Sequence, residues 1–149
     1  MPRGTRRVVT PLALRTAFAG AGDLTIQGFA TDISVDQGQA VNFKIDDKSE
    51  APYRLDVYRM GYYNGDGARK VATLYSTPGA QIAQPAPLYD STTGMTDAGN
   101  WSVTDSWNVP TDATSGIYFA KVTRLDTDGA SYIVFIVRDD SGASDLLFQ

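Results

Sequence analysis

The sequence of 149 residues contains no cysteine and no histidine, and Glu50 is its single glutamate. The lack of cysteine excludes disulfides, thiolate zinc sites and cysteine nucleophiles. The lack of histidine excludes an imidazole general base, a Ser-His-Asp triad and the HExxH zinc motif. Much of the side-chain chemistry on which enzymes commonly rely is therefore missing from this chain.

Long hydrophobic runs and an excess of basic residues are missing as well. No apolar run approaches the roughly 20 residues of a membrane-spanning helix, so the sequence predicts no membrane span. Four of the 13 basic residues lie in residues 1–15, which contain no acid, and this leaves nine basic against 17 acidic residues in the remainder. Because an acidic surface repels phosphate backbones, we expect no nucleic-acid partner.

The two ends of the chain differ in character from its middle. Residues 1–22 are basic, contain a short apolar run and include Ala17-Phe18-Ala19, which is typical of a secretory signal with its cleavage site. Pro11 and Arg15 interrupt that run, and the alternative is a disordered leader, so localisation stays open between a secreted or cell-surface protein and a cytoplasmic one. Residues 141–149 end in an apolar run, and we expect them to begin a following domain.

Residues 23–140 show the pattern of short strands separated by turns. In residues 40–45, for example, Val41, Phe43 and Ile45 alternate with polar side chains, which places one face of a strand in a core. The same reasoning predicts strands over residues 24–30 and 33–35 (one strand broken at Gly28), 40–45, 53–60, 70–74, 101–109, 117–123 and 131–137, with a weaker candidate at 88–89. About seven to eight strands without a helix indicate an all-β, immunoglobulin-like antiparallel β-sandwich.

The strongest local signal is a β-hairpin near the end of the chain. Its two strands flank Asp126-Thr127-Asp128-Gly129, and Asp-Gly supplies the positive φ angles that a tight turn needs. Just upstream, a turn cluster over residues 110–116 precedes Tyr118. That position predicts a tyrosine corner, in which the hydroxyl bonds to the preceding loop.

The same hairpin is apolar on both faces. If Tyr118, Ala120 and Val122 face the core, the opposite face carries five apolar residues: Ile117, Phe119, Tyr132, Val134 and Ile136. Strands with two apolar faces are generally buried on both sides, so this stripe predicts an interdomain face. The alternative is that the long loop over residues 75–100 covers it.

Several other groups of residues carry possible ligand chemistry. Exposed aromatic rings could stack on a sugar, and the candidates are Tyr62, Tyr63, Trp101 and Trp107, with Tyr89; packing in the core is the alternative. The glycine-rich residues 61–69 join two strands and lack the helix that a phosphate cradle needs, so they favour a sharp turn. Asp126, Asp128 and Gly129 resemble the start of a calcium loop but lack its distal glutamate, which again favours a turn.

Four separate stretches, in order and spacing, resemble the N,N-dimethylformamidase large-subunit family. They are residues 53–63 with Gly65, Gly67, Ala68 and Arg69; Asn100-Trp101; Ser115-Gly116, Tyr118 and Ala120-Lys121; and residues 131–140. The resemblance runs from about Gly28 to Gln149. It implies a sandwich region that precedes the catalytic domain of a bacterial multidomain amidohydrolase. It also implies an iron site with tyrosine and glutamate ligands in that downstream domain, and it transfers no ligand to a residue of this chain.

Together these observations predict a non-catalytic β-sandwich that docks onto and supports a downstream catalytic domain through the Ile117/Phe119/Tyr132/Val134/Ile136 stripe. We expect no cofactor within this segment. A carbohydrate- or cell-surface-binding module that uses the exposed aromatics is the alternative. Direct amidohydrolase activity is disfavoured because histidine and cysteine are absent and Glu50 is the single glutamate.

Overall fold

The structure is a computed structural model, and it describes residues 22–76 and 83–142. The expectations for residues 1–21 and 143–149 therefore lie outside the described residues. Within the described part the chain forms ten strands and a single 3-10 turn, η1 (Tyr63–Gly65). The strands are β1 (Ile26–Ala30), β2 (Ser34–Asp36), β3 (Ala40–Asp47), β4 (Tyr53–Met60), β5 (Ala68–Tyr75), β6 (Leu88–Asp90), β7 (Met95–Asp97), β8 (Asp105–Asn108), β9 (Gly116–Arg124) and β10 (Ala130–Arg138). A search of these residues for a helix able to cross a membrane finds none.

Eight of these strands form two sheets that enclose one core. The small sheet has the order β1-β3-β8, and the large sheet has the order β2-β10-β9-β4-β5. All neighbouring pairs are antiparallel except β2 and β10, which run parallel. The all-β sandwich predicted from the sequence is thus confirmed. The strand number exceeds the prediction because β6 and β7 form a separate hairpin within the loop over residues 75–100.

The first strand is broken, but not where the sequence suggested. The break falls after Ala30, because β1 pairs with β3 in the small sheet and β2 crosses to the large sheet. Gly28 lies inside β1, opposite Ile45. A Cβ atom at Gly28 would stand 2.7 Å from the carbonyl oxygen of Lys44, so glycine lets β1 approach β3 closely.

The core is filled by alternating residues of both sheets. The predicted inward residues Val41, Phe43 and Ile45 of β3 are all buried. At the centre the rings of Trp107, Tyr118 and Phe135 pack with centroids 5.8–6.0 Å apart. Removal of one such ring typically costs about 3–5 kcal/mol, so this cluster contributes a large share of the stability.

The strand predicted over residues 101–109 is much shorter than expected, because β8 begins at Asp105. At Ser102 the backbone bonds to a side chain instead of a strand. Gln84 accepts the Ser102 N–H at 2.9 Å and donates to the Ser102 carbonyl at 2.9 Å. Gln84 also donates to the carbonyl of Ile45 at 3.1 Å. The loop that contains Gln84 is thereby fastened to the small sheet.

The closing hairpin is confirmed, with one correction in its turn. Asp128 adopts the positive φ of 60°, whereas Gly129 is not among the residues in the left-handed region. At Gly129 the carboxylate of Asp23 occupies the space that a Cβ atom would take, so a larger residue there would displace that side chain.

One hydrogen bond joins the two sheets across the edge of the core. The hydroxyl of Tyr53 on β4 donates to the carboxylate of Asp105 on β8. Burial, and then this bond to an anion, raises the pKa of Tyr53 above its ordinary value of 10.0. Burial is also the main cause that raises the pKa of Tyr118 and of Tyr132. The folded state thus holds three tyrosines in their neutral form.

We therefore expect the free energy of unfolding to fall at alkaline pH. A tyrosine whose pKa is raised in the folded state contributes its full stability below the unfolded pKa of about 10. That contribution is lost as the pH rises from the unfolded pKa through the folded pKa. The loss is up to about 1.4 kcal/mol per pH unit for each tyrosine. Urea unfolding midpoints between pH 8 and pH 11 measure this loss.

Two variants separate the tyrosines in that experiment. Tyr53→Phe should give a shallower decline than the wild type, whereas Tyr62→Phe, which removes an exposed hydroxyl, should keep the wild-type slope. A midpoint that stays constant up to pH 11 contradicts the prediction.

Candidate functional site

The five residues of the predicted stripe lie on the outer face of the large sheet. The register places Ile117 opposite Ile136 and Phe119 opposite Val134. Ile117, Val134 and Ile136 expose 50%, 60% and 39% of their surface. Tyr132 is half-buried. Phe119 points to the same side but is buried, so the exposed part of the stripe is aliphatic.

Aromatic neighbours contribute to the burial of Phe119. Tyr58 of β4 stacks on its ring at 5.0 Å with an interplanar angle of 9°. Tyr132 of β10 packs edge-on at 6.1 Å. Cross-strand aromatic pairs of this kind stabilise a sheet by up to about 1 kcal/mol each, and they give the apolar face a rigid centre.

Ile33, which precedes β2, lies beside this stripe but not on its face. Its side chain is 81% exposed, and its carbonyl accepts the N–H of Ile136 at 2.9 Å. The register pairs Ser34 with Ile136 and Val35 with Val137. The period of two therefore places Ile33 on the side of the buried residue Val35.

The described part of the loop over residues 75–100 leaves this stripe open. Gln84, near the start of its described part, bonds to β3 of the small sheet through the Ile45 carbonyl and the Asp46 carboxylate. Near its end, the indole N–H of Trp101 donates to the carbonyl of Pro85 at 3.0 Å. The anchored loop therefore belongs to the small-sheet side of the sandwich.

A polar cluster borders the stripe on the same outer face. The buried carboxylate of Asp56 accepts bonds from Thr73 at 2.7 Å, from Arg54 at 2.9 Å and from Lys70 at 3.4 Å. Burial raises the pKa of Asp56, but the bond from Thr73 and the charges of Arg54 and Lys70 outweigh it and hold the pKa below its ordinary value. An apolar centre beside satisfied polar groups is the usual composition of a protein interface.

The predicted tyrosine corner is present at the opposite, inner face of β9. The hydroxyl of Tyr118 donates to the carbonyl of Thr114, four residues upstream. Arg59 reinforces this contact, because it donates to the carbonyls of Thr114 at 3.3 Å and Ser115 at 2.9 Å. Two side chains therefore fix the loop between β8 and β9. Sequence reasoning identified Tyr118 but missed Arg59, whose role depends on the register of β4 beside β9.

The four candidate sugar-stacking aromatics occupy different environments. Trp107 belongs to the core and is 8% exposed, and Trp101 is half-buried against Phe29 with ring centroids 5.7 Å apart. Tyr63 is half-buried and its hydroxyl accepts a bond from Arg59 at 2.7 Å. Tyr62 is 81% exposed. The structure therefore does not bring the four rings together into one exposed platform.

The acidic turn does not form a metal site. Both oxygens of Asp126 accept bonds from Arg124, at 2.6 and 3.0 Å. Among residues 22–76 and 83–142 no group of three or more acidic, cysteine or histidine side chains could hold a metal ion. Glu50 lies in an exposed turn with a φ of 52°. The described residues thus do not fit the iron site that the family resemblance implies for the downstream domain.

These observations define a β-sandwich module with an apolar outer face. Residues 54–149 match the family described as N,N-dimethylformamidase beta subunit-like, C-terminal, so the chain belongs to that family. The match begins in β4 and includes the closing hairpin and the tyrosine corner. No curated protein matches the chain. The dimethylformamidase-like resemblance is confirmed, whereas the assignment to a large subunit and the position before a catalytic domain stay predictions.

We expect Tyr118→Phe to lower the free energy of unfolding by about 1–2 kcal/mol, because it leaves the Thr114 carbonyl with one donor fewer. Tyr75→Phe is the matched control, since Tyr75 is 65% exposed, and it should change stability little. Urea unfolding followed by tryptophan fluorescence measures both. Equal stability of Tyr118→Phe and wild type contradicts a supporting role for this bond.

Proposed function

We propose that this chain is a non-catalytic, immunoglobulin-like module of a larger bacterial protein of the dimethylformamidase type. In this proposal it docks onto the downstream, amidohydrolase-like catalytic domain and supports it. The observation that carries the proposal is the exposed aliphatic stripe on the large sheet, which consists of Ile117, Val134 and Ile136.

The immunoglobulin-like assignment is supported by topology. The sheet orders are β1-β3-β8 and β2-β10-β9-β4-β5. They support this class, although the small sheet has three strands where the class has four. The bond from Tyr118 to the Thr114 carbonyl supplies its tyrosine corner. Such sandwiches host many functions, so the fold alone does not identify the partner.

The partner is argued from the chemistry of the outer face. Aliphatic side chains at three register-paired positions on β9 and β10 form a contiguous surface that water solvates poorly. A domain on the same polypeptide is favoured because a covalent linkage gives a high effective concentration. A patch of this modest size can then hold two domains together, since interfaces within a chain are smaller and more polar than those of permanent complexes.

The support is mechanical in this proposal. The stacked rings of Tyr58 and Phe119 make the centre of the face rigid, so docking orders few side chains. The Asp56 cluster lies beside the apolar surface with its charge compensated by Arg54 and Lys70. The catalytic domain would therefore bury its own apolar surface against a preformed plane without leaving the charge of Asp56 unpaired.

We expect Val134→Asp to weaken binding between this module and the separately produced downstream domain by at least about tenfold, or about 1.4 kcal/mol. Burial of an unpaired carboxylate in an apolar contact is the physical reason. Val103→Asp is the matched control, because Val103 is 51% exposed and precedes β8 of the small sheet. Titration calorimetry measures both affinities.

Two outcomes contradict this proposal. One is an unchanged affinity of the Val134→Asp variant, and the other is a gene in which no further domain follows the module. A second readout tests support separately: in the full-length protein Val134→Asp should lower the melting temperature of the catalytic domain while the activity per folded molecule is retained.

Carbohydrate or cell-surface binding is the alternative proposal, and the exposure of Tyr62 is the observation in its favour. If the chain binds carbohydrate, its electrophoretic migration should be retarded in gels that contain a recognised polysaccharide. The Tyr62→Ala variant should then migrate as it does in a gel without polysaccharide. Tyr75→Ala is the control, because Tyr75 is exposed on a different part of the molecule, at the end of β5. Identical migration with and without a panel of polysaccharides contradicts this alternative.

A further inference from the structure

An open cavity of about 310 Å³ lies at one end of the sandwich, away from the outer face. Its lining comes from β4, β5, β8, β9 and the loop that follows β8, and it includes Arg59, Arg69, Trp107, Asp112 and Thr114. The small sheet has three strands and the large sheet five, so the inner face toward β5 is not fully covered. The loop fixed by the tyrosine corner forms one wall.

A β-bulge shapes the cavity. Val57 pairs with Ala72 and Tyr58 with Lys70, so Val71 is left without a partner on β4. Bulges of this kind redirect side chains and are frequent beside binding sites. Beyond the bulge the register places Arg59 directly opposite Arg69.

Two arginines opposite each other on neighbouring strands are an unfavourable arrangement, because like charges at such positions repel. The ring of Tyr63 offsets part of the repulsion, since its centroid lies 6.0 Å from the guanidinium carbon of Arg59 and 5.2 Å from that of Arg69. No carboxylate among the described residues forms an ion pair with either arginine. The pair thus carries positive charge that no direct ion pair neutralises, and Asp112 is the carboxylate that lines the same cavity.

The remaining arginines of the described chain behave differently. Arg54, Arg124 and Arg138 each form an ion pair with the aspartate two residues further along: Asp56, Asp126 and Asp140. Of the five arginines in residues 22–76 and 83–142, the two without a carboxylate therefore share this cavity. In a chain with a net charge of −4, such a concentration of unpaired cations is a specific feature.

Further donors in the cavity lack acceptors. The guanidinium of Arg69 makes no hydrogen bond within the described residues and lies over the ring face of Tyr63. The indole N–H of Trp107 also makes no hydrogen bond within the described residues. It is not among their buried unpartnered atoms, so it is open to the solvent of the cavity. Trp101, the other tryptophan, does have an acceptor, at Pro85.

We propose that this cavity binds a small organic carboxylate. The planar guanidinium of Arg69 matches the two oxygens of a carboxylate, and the apolar body of the ligand would contact the part of Trp107 that lines the cavity. Asp112 lines the same cavity, and its negative charge opposes a phosphate dianion more strongly than a monoanion. The inference goes beyond the docking role and does not depend on it.

The two tryptophans provide an internal control for a test by NMR. Benzoate is titrated into the whole chain while the two indole N–H resonances are followed, and Trp101→Phe assigns them by removing one. We expect a saturable shift of the Trp107 resonance and none of the Trp101 resonance. Inorganic phosphate and benzylammonium, added at equal concentration and ionic strength, should give no saturable shift.

Variants then show which charged residue is responsible for benzoate binding. Arg69→Gln should weaken benzoate binding about tenfold or more, and Arg69→Lys should fall between it and wild type because it keeps the charge but loses the fork. Arg138→Gln removes the same group from the opposite edge of the sheet and should bind as wild type does. Absence of a saturable Trp107 shift, equal affinity for phosphate, or an Arg69→Gln variant that binds normally overturns the proposal.

Discussion

The alternation of side chains along β9 is the constraint on which the rest of the structure depends. β9 lies in the interior of the large sheet between β10 and β4, and both of its faces carry packed side chains. Tyr118, Ala120 and Val122 enter the core, whereas Phe119 enters the outer aromatic cluster. A slip of one residue would exchange the two sets. Core, outer stripe and cavity wall are thus specified by one register.

Both candidate surfaces follow from this strand. On the outer side, the pairing of Ile117 with Ile136 and of Phe119 with Val134 creates the aliphatic stripe. On the inner side, Tyr118 fixes the loop after β8. The residue opposite Tyr118 on β4 is Arg59, which lines the cavity. A domain that docks on one face and a ligand that enters the other end would therefore contact opposite sides of the same strand.

Much of the fold could be predicted because its determinants are local. The alternation in β3 and β4, the closing hairpin and the position of Tyr118 are visible within a few residues of sequence. The predictions were wrong where the structure of a segment depends on a residue that is distant in the sequence. Ser102 in the predicted strand before Asp105 bonds to Gln84, and the break in the first strand follows from its crossing between sheets. Periodicity carries no information on such contacts.

The candidate sites likewise divide into one that depends on local sequence and one that depends on distant contacts. The stripe could be predicted because it follows from a period of two within one hairpin. The juxtaposition of Arg59 and Arg69 could not, since it depends on a bulge at Val71 that shifts the register of β5. The family match supplies the evolutionary relationship to N,N-dimethylformamidase beta subunit-like proteins, and it covers the strands that carry both surfaces.

The bulge at Val71 also affects whether copies of the molecule can associate through the edges of the large sheet. The two margins of the large sheet are β2, with three residues, and β5, whose ladder is interrupted at Val71 and flanked by Arg69 and Lys70. A short margin and a kinked cationic one are poor templates for a foreign strand. Addition of a strand from another copy at either margin of the large sheet is consequently disfavoured, even with an aliphatic plane exposed nearby.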